Sequence, residues 1–224
     1  KMTEFATPDG KKANAYFVKA KKKSDKWLFV YQEWWGLNDY IKKEAVKYFK
    51  SLKDVNVLVL DLYDGKVATT REEAGKLMGS ADEARIRSII AGALKHVGKQ
   101  ASIATVGWCF GGGWSLQATL AAGKQAAGGV VYYGMPEKDV EKLKTLTAPI
   151  LFVFAKKDDW INQEMVSQFE ADMKAADKTL TVKEYDAVHA FANPSNPNYD
   201  KVAAEDAYEA SVKFIRTQLT KKGG

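Results

Sequence analysis

The chain has 224 residues, 46% hydrophobic and 28% charged, the balance of an ordinary globular protein rather than a disordered or fibrous one. Its one cysteine, Cys109, excludes an internal disulfide, and with only two histidines, His96 and His189, it excludes a structural zinc site of four nitrogen or sulfur ligands. The net charge of +6 is carried by lysine, with only Arg71, Arg85, Arg87 and Arg216 as arginines; bidentate reading of phosphate or guanine favours arginine, so no nucleic-acid partner is expected.

Short apolar runs rich in β-branched and aromatic residues predict strands, and amphipathic stretches between them predict helices. In chain order these are a strand at 27–32, a helix at 39–52, a strand at 55–60, a helix at 81–97, strands at 102–108, 129–133 and 150–155 with a helix at 112–122 after the first of them, a helix at 163–176, a strand at 181–185 and a helix at 201–219. The helix at 81–97 is the clearest. Ile86, Ile89, Ile90, Ala93, Leu94 and Val97 share one face, and Ser80 with Glu83 forms a capping-box pattern at its start. Alternation of this kind predicts a single α/β domain over 1–224, with a mainly parallel sheet and helices on both faces. Strands apolar throughout rather than alternating fit burial on both sides. Lys21-Lys22-Lys23 reads as a solvated loop. No run is long and apolar enough for a membrane span, and KMTEFATPDGKK lacks the apolar core of a signal peptide, so a cytoplasmic protein with no membrane partner is expected.

The chemistry concentrates in Gly107-Trp108-Cys109-Phe110-Gly111, which follows a predicted strand and opens a helix. That is the spacing of a nucleophile elbow, where the nucleophile sits on a sharp strand-to-helix turn and its neighbours two residues away must be small. A helix N-terminus there is expected to lower the thiol pKa and to offer N–H groups to a developing oxyanion. Downstream, Asp158 or its neighbour Asp159 follows one strand and His189 follows another, in the order nucleophile, acid, histidine found in α/β-hydrolases. A histidine can take the thiol proton while a carboxylate on its other nitrogen sets the tautomer. His96, at a helix end, reads as a surface residue.

Taken with Gln32-Glu33-Trp34-Trp35-Gly36-Leu37-Asn38, Tyr132-Tyr133-Gly134 and His189-Ala190-Phe191, these motifs make the chain resemble the dienelactone hydrolase family over nearly its whole length. The resemblance implies an α/β-hydrolase fold. It also implies a Cys109, His189 and Asp158 triad, with the acid two residues before Trp160, and an oxyanion hole from the backbone N–H groups of Phe110 and Trp34. In the family the carboxylate matching Glu33 touches the resting thiol and is displaced by substrate. Trp35, Trp160, Phe191, Tyr133 and Arg71 are expected to contact substrate. An arginine that follows the family's histidine in a H-x-F-A-R run is Asn193 here, and Gly75 and Met78 stand where the family has bulky rings, which implies a wider and less anion-selective site. The expected activity is cleavage of small carboxylic esters or lactones through a cysteine acyl-enzyme, with activated aryl esters or phosphoesters as an alternative. That mechanism needs no metal and no organic cofactor, and the chain is expected to act as a monomer or weak homodimer. From other classes, a redox thiol enzyme and a non-catalytic ligand-binding module are the competing readings.

Overall fold

In a computed structural model describing residues 1–223, one eight-stranded sheet runs through the chain in the order β1-β2-β4-β3-β5-β6-β7-β8. The strands are β1 (Met2–Ala6), β2 (Lys12–Val18), β3 (Lys26–Tyr31), β4 (Asn56–Leu60), β5 (Ser102–Trp108), β6 (Ala126–Tyr132), β7 (Ile150–Ala155) and β8 (Leu180–Tyr185). From β4 across to β8 every pairing is parallel, and β1 and β2 add an antiparallel margin. The helices are α1 (Asp39–Leu52), α2 (Arg71–Gly79), α3 (Glu83–Val97), α4 (Phe110–Ala122), α5 (Val140–Leu143), α6 (Gln163–Ala175) and α7 (Lys201–Gly223).

Side chains alternate across a strand, and the core divides accordingly. Leu28 and Val30 of β3 pack with Ile41 and Tyr48 of α1 and with Ala207 and Ile215 of α7. Their neighbours Phe29 and Tyr31 face Ile86, Ile89 and Ile90 of α3. On the β7 side, Phe152 and Phe154 meet Val166, Phe169 and Met173 of α6. The strands β4, β6 and β7 are buried at every position, as their continuous apolar runs imply. The edge strand β8 is only half-buried.

Four elements went unpredicted. In β2 the sequence KANAYFV alternates weakly, and its partner β1 has a single buried residue, Phe5; both owe their conformation to sheet pairing rather than to pattern. The short α2 and α5 have little apolar periodicity. The predicted capping box is also replaced. Asp82 caps α3 by accepting from Arg85 N at 3.2 Å, while the Ser80 hydroxyl turns back to Lys76 O and closes α2.

The strand order positions the site. From β3 the chain crosses through α1 to β4 on one side, whereas from β5 it crosses through α4 to β6 on the other. The adjacent ends of β3 and β5 therefore flank a topological switch point, where open parallel sheets form a crevice. Glu33 and Trp34 follow β3, and Cys109 follows β5.

Candidate active site

Cys109 occupies the single residue between β5 and α4, with φ 57° and ψ −121°. This left-handed conformation costs a non-glycine residue of order 1–3 kcal/mol. The surroundings enforce it: Cys109 N donates to Tyr132 O at 3.0 Å, and Gly112 N donates to Cys109 O at 2.9 Å. A Cβ on Gly107 would stand 2.0 Å from Gly111 O, and one on Gly111 would stand 2.1 Å from Gln32 O. The elbow spacing is thus a packing requirement. Tyr133 (φ 35°) and Ala190 (φ 68°) also adopt positive φ, so three strained residues surround one crevice.

Three side chains from three strand ends form a hydrogen-bonded line. Cys109 Sγ lies 3.0 Å from His189 Nε2, and His189 Nδ1 lies 2.5 Å from Asp158 Oδ2. The second Asp158 oxygen accepts from Trp160 N at 2.8 Å and Ile161 N at 3.0 Å, which leaves the buried carboxylate little rotational freedom. Asp159 is exposed. Asn198 donates to His189 O at 3.0 Å and steadies the loop that carries the imidazole. The ring itself packs against Tyr133 at 4.9 Å and Trp160 at 5.7 Å between centroids. The other histidine, His96, is exposed in the last turn of α3 and stacks on Phe5.

The expected lowering of the thiol pKa is reversed. Burial pushes the Cys109 thiol up to about 12, the Glu33 and Asp158 carboxyls add to the rise, and the Phe110 N–H at the start of α4 opposes it. A helix N-terminus favours the thiolate, but removing a charge from water costs more in a site flanked by carboxylates. Burial and the neighbouring carboxyls thus favour the neutral thiol, whose Sγ faces the imidazole.

Glu33 is only 3% exposed, and it too is pushed towards its neutral form. Burial raises its pKa to about 8, Asn193 opposes the shift and Glu44 adds to it. Asn193 Nδ2 donates to Glu33 Oε1 at 2.8 Å, and Asn193 Oδ1 accepts from Ser195 N at 2.8 Å. The expected contact of Glu33 with the resting thiol is thus replaced, with Glu33 holding an amide while the thiol holds His189. An amide brings no positive charge to keep the carboxylate ionised. Sequence reasoning noted that Asn193 stands where the family has arginine but missed its role as the partner of Glu33.

Two cavities meet at the sulfur, and Cys109, Met78 and Trp160 line both. One, of about 380 Å³, is bounded by Glu33, Trp34, Trp35, Arg71 and His189. The other, of about 370 Å³, runs between Phe110, Trp114, Tyr133, Met135 and Ile161. Trp35, Trp160, Tyr133 and Arg71 therefore reach the crevice, Arg71 with its guanidinium 5.8 Å from the Trp34 ring centroid. Phe191 does not. It is fully buried against Tyr133 and Tyr185, a core residue that supports the wall from behind. Among the described residues no group of three or more His, Cys, Asp or Glu is placed to hold a metal ion, and no helix is long and apolar enough to cross a membrane.

A buried nucleophile-type side chain on a strained elbow, at the carboxyl edge of a mainly parallel sheet, defines the α/β-hydrolase class. Within that class the dienelactone hydrolase family profile matches residues 13–219, and the chain belongs to that family. Protein usf of Aquifex pyrophilus is 28% identical, with 98% of this chain and 99% of that protein aligned. Carboxymethylenebutenolidase 1 of Cupriavidus pinatubonensis is also 28% identical, over 95% of this chain and 94% of its own length. Among solved structures, a dienelactone hydrolase-like promiscuous phosphotriesterase from metagenomic libraries superposes with a TM-score of 0.83 at 18% identity, covering 97% of this chain and 98% of that one. Carboxyl esterase 2 of Tuber melanosporum gives 0.74 at 13% identity, covering 98% and 87%. At those identities the structural likeness speaks to the fold.

Proposed function

We propose that the protein hydrolyses small carboxylic esters or lactones through a thioester on Cys109, with His189 as the base and Asp158 as its orienting carboxylate. The observation that carries this reading is the unbroken line from Sγ to Nε2 at 3.0 Å and from Nδ1 to the carboxylate at 2.5 Å, ending at the junction of two cavities. Because burial favours the neutral thiol, Sγ is activated as Nε2 takes its proton, and Asp158 stabilises the imidazolium that forms. The Phe110 N–H and the backbone N–H of Trp34 are the proposed donors to the oxyanion that develops as the sulfur attacks the carbonyl. A related cofactor-free substrate class, activated aryl phosphoesters, would present a phosphoryl oxygen to the same donors. The redox alternative is disfavoured, because the sole cysteine has no resolving partner in the chain.

Rapid mixing with p-nitrophenyl acetate tests this directly. Wild type is expected to release a burst of nitrophenolate equal to the enzyme concentration, and Cys109→Ala is expected to lose the burst and about 10⁴-fold or more of turnover. A Cys109→Ala protein that retains wild-type turnover overturns the assignment.

A further inference from the structure

The two cavities that meet at Cys109 differ in one respect that bears on the reaction, since only one of them is lined by His189. That asymmetry assigns the two halves of an ester. A carbonyl carbon attacked by Sγ carries the oxygen that becomes the oxyanion, an acyl chain and an alkoxy group. The proton that Nε2 takes from the thiol must reach the alkoxy oxygen as the C–O bond breaks, so that oxygen has to lie on the imidazole side of the sulfur. The acyl chain is left with the cavity on the other side.

Resting on the ester-hydrolysis reading above, we propose that the cavity lined by Phe110, Trp114, Tyr133, Met135 and Ile161 is the acyl site, suited to a neutral aromatic or branched acyl group, and that the His189 cavity takes the alcohol portion. Apolar and aromatic walls make up most of both cavities, and the acyl cavity's volume of about 370 Å³ falls in the range of small-molecule sites, about 300–1,000 Å³; its charged lining supports the choice. Its two charged residues cancel one another. Arg87 Nη2 lies 3.0 Å from Glu83 Oε1, and the guanidinium is spread over Trp114 at 5.3 Å and bonded to Gln117 at 3.3 Å. An anionic acyl chain would find that cation already engaged. The other cavity also pairs an arginine with a carboxyl, but there Arg71 lies over Trp34 with no salt-bridge partner among the described residues while Glu33 is bonded to Asn193, so a negative substituent is better placed on the alcohol.

The assignment also orders the reaction. The Sγ–C bond forms as the thiol proton moves to Nε2. The C–O bond then breaks as that proton passes to the alkoxy oxygen, and the alcohol leaves through the His189 cavity. The acyl group stays as a thioester in the opposite cavity, so the vacated space beside Nε2 admits water. Water gives a proton to Nε2 as its oxygen bonds the carbonyl carbon, the C–S bond breaks, the sulfur recovers the proton and the acid departs.

Met135 provides the test, because it is 40% exposed and tolerates replacement better than the buried lining. Burst rates and kcat/KM are measured for p-nitrophenyl acetate, isobutyrate and benzoate, where only the acyl group changes, and for acetates of phenol, p-nitrophenol and 2-naphthol, where only the alcohol changes. In Met135→Trp the ratio of benzoate to acetate kcat/KM is expected to fall about tenfold or more, and in Met135→Ala to rise, while the ratios among the three acetates move less than about twofold in both. Changes that follow the alcohol instead, or benzoate-to-acetate ratios that stay at the wild-type value in both variants, overturn the acyl assignment and leave the hydrolase reading intact. Absence of a burst with every ester in folded wild type overturns both.

Discussion

Arg85 and Cys109 each anchor a cluster of polar groups, and the two clusters are built on opposite electrostatic terms. Around Arg85 every charge is answered. Its Nε and Nη2 take both oxygens of Asp64 at 3.0 and 2.8 Å, Nη1 takes Asp9 at 3.0 Å and Thr7 Oγ1 at 2.8 Å, and Nη2 also reaches Lys12 O at 2.6 Å. These partners reinforce the ionised forms. The Thr7 hydroxyl and Arg85 hold the Asp9 carboxyl down to about 2, and Asp64 first, then Asp9, raise the guanidinium pKa. One side chain thereby ties the β1–β2 turn and the loop after β4 to α3. Around Cys109 burial wins, pushing the Cys109 thiol and the Glu33 carboxyl towards neutrality, and three positive-φ residues add strain. A structural cluster of this kind lowers the energy of the resting fold. The other holds groups in resting states that a reaction can change, at some cost to stability.

The largest expected effect is kinetic. With the thiol pushed up by burial to about 12, iodoacetamide is expected to alkylate Cys109 at pH 8 at least about 50-fold more slowly than a free cysteine of pKa about 8.5, the scarcity of thiolate outweighing its higher intrinsic nucleophilicity. A rate close to that of the free amino acid would mean that the thiol is ionised at rest and the contrast with Arg85 is false. Alkylation at pH 9 is expected to speed up in Glu33→Gln, since a nearby negative charge is removed.

Next comes stability against pH. Glu33 binds its proton in the fold up to about pH 8, whereas in the unfolded chain it releases it above about 4.5. Between these values the folded state holds more protons, so stability falls as pH rises through the window and levels off above it. Glu33→Gln keeps the acceptor for Asn193 and removes that penalty. Urea unfolding is expected to show it more stable than wild type by on the order of 3 kcal/mol at pH 7 and no different at pH 4. Equal stability at pH 7 would place the ionised carboxylate in the resting site. Asp9 has the opposite sign: its contribution is present above about pH 4 and is lost as pH falls through about 2.

The smallest effect probes the structural cluster. Arg85→Met is expected to cost about 2 kcal/mol in urea unfolding, discounted because the Asp9 and Asp64 side chains are 29% and 45% exposed, with turnover of the folded protein unchanged. A loss of turnover matching that of Cys109→Ala would make the two clusters one functional unit.

Much of this was legible from local pattern, and the exceptions share a cause. Strands β4 to β7 announce themselves because burial on both faces demands continuous apolar runs. The elbow does so because its glycine spacing is distinctive, although the demand on Gly107 comes from the turn itself and that on Gly111 from Gln32 just after β3. β1 and β2 were not visible, since a marginal antiparallel pair is held by neighbours the sequence does not display. Arg85 carries no signal in the helix pattern at 81–97, because its partners at 7, 9, 12 and 64 are brought to it by the fold. Phe191, adjacent in sequence to the histidine loop, passed for a wall of the site, although its ring turns into the core.

The residues at 107–111 and the strand runs by themselves determined the fold class, the elbow and the candidate nucleophile, because each leaves a residue spacing or a repeating pattern of burial that is written along the chain. Asp158, chosen over Asp159 by the family resemblance, is the carboxylate that meets His189; only the tertiary structure decided that Asn193 holds Glu33, that burial favours the neutral thiol and that two cavities open on either side of it. Those outcomes depend on which strands lie side by side and on how far each charge is removed from water, and both are properties of the assembled sheet.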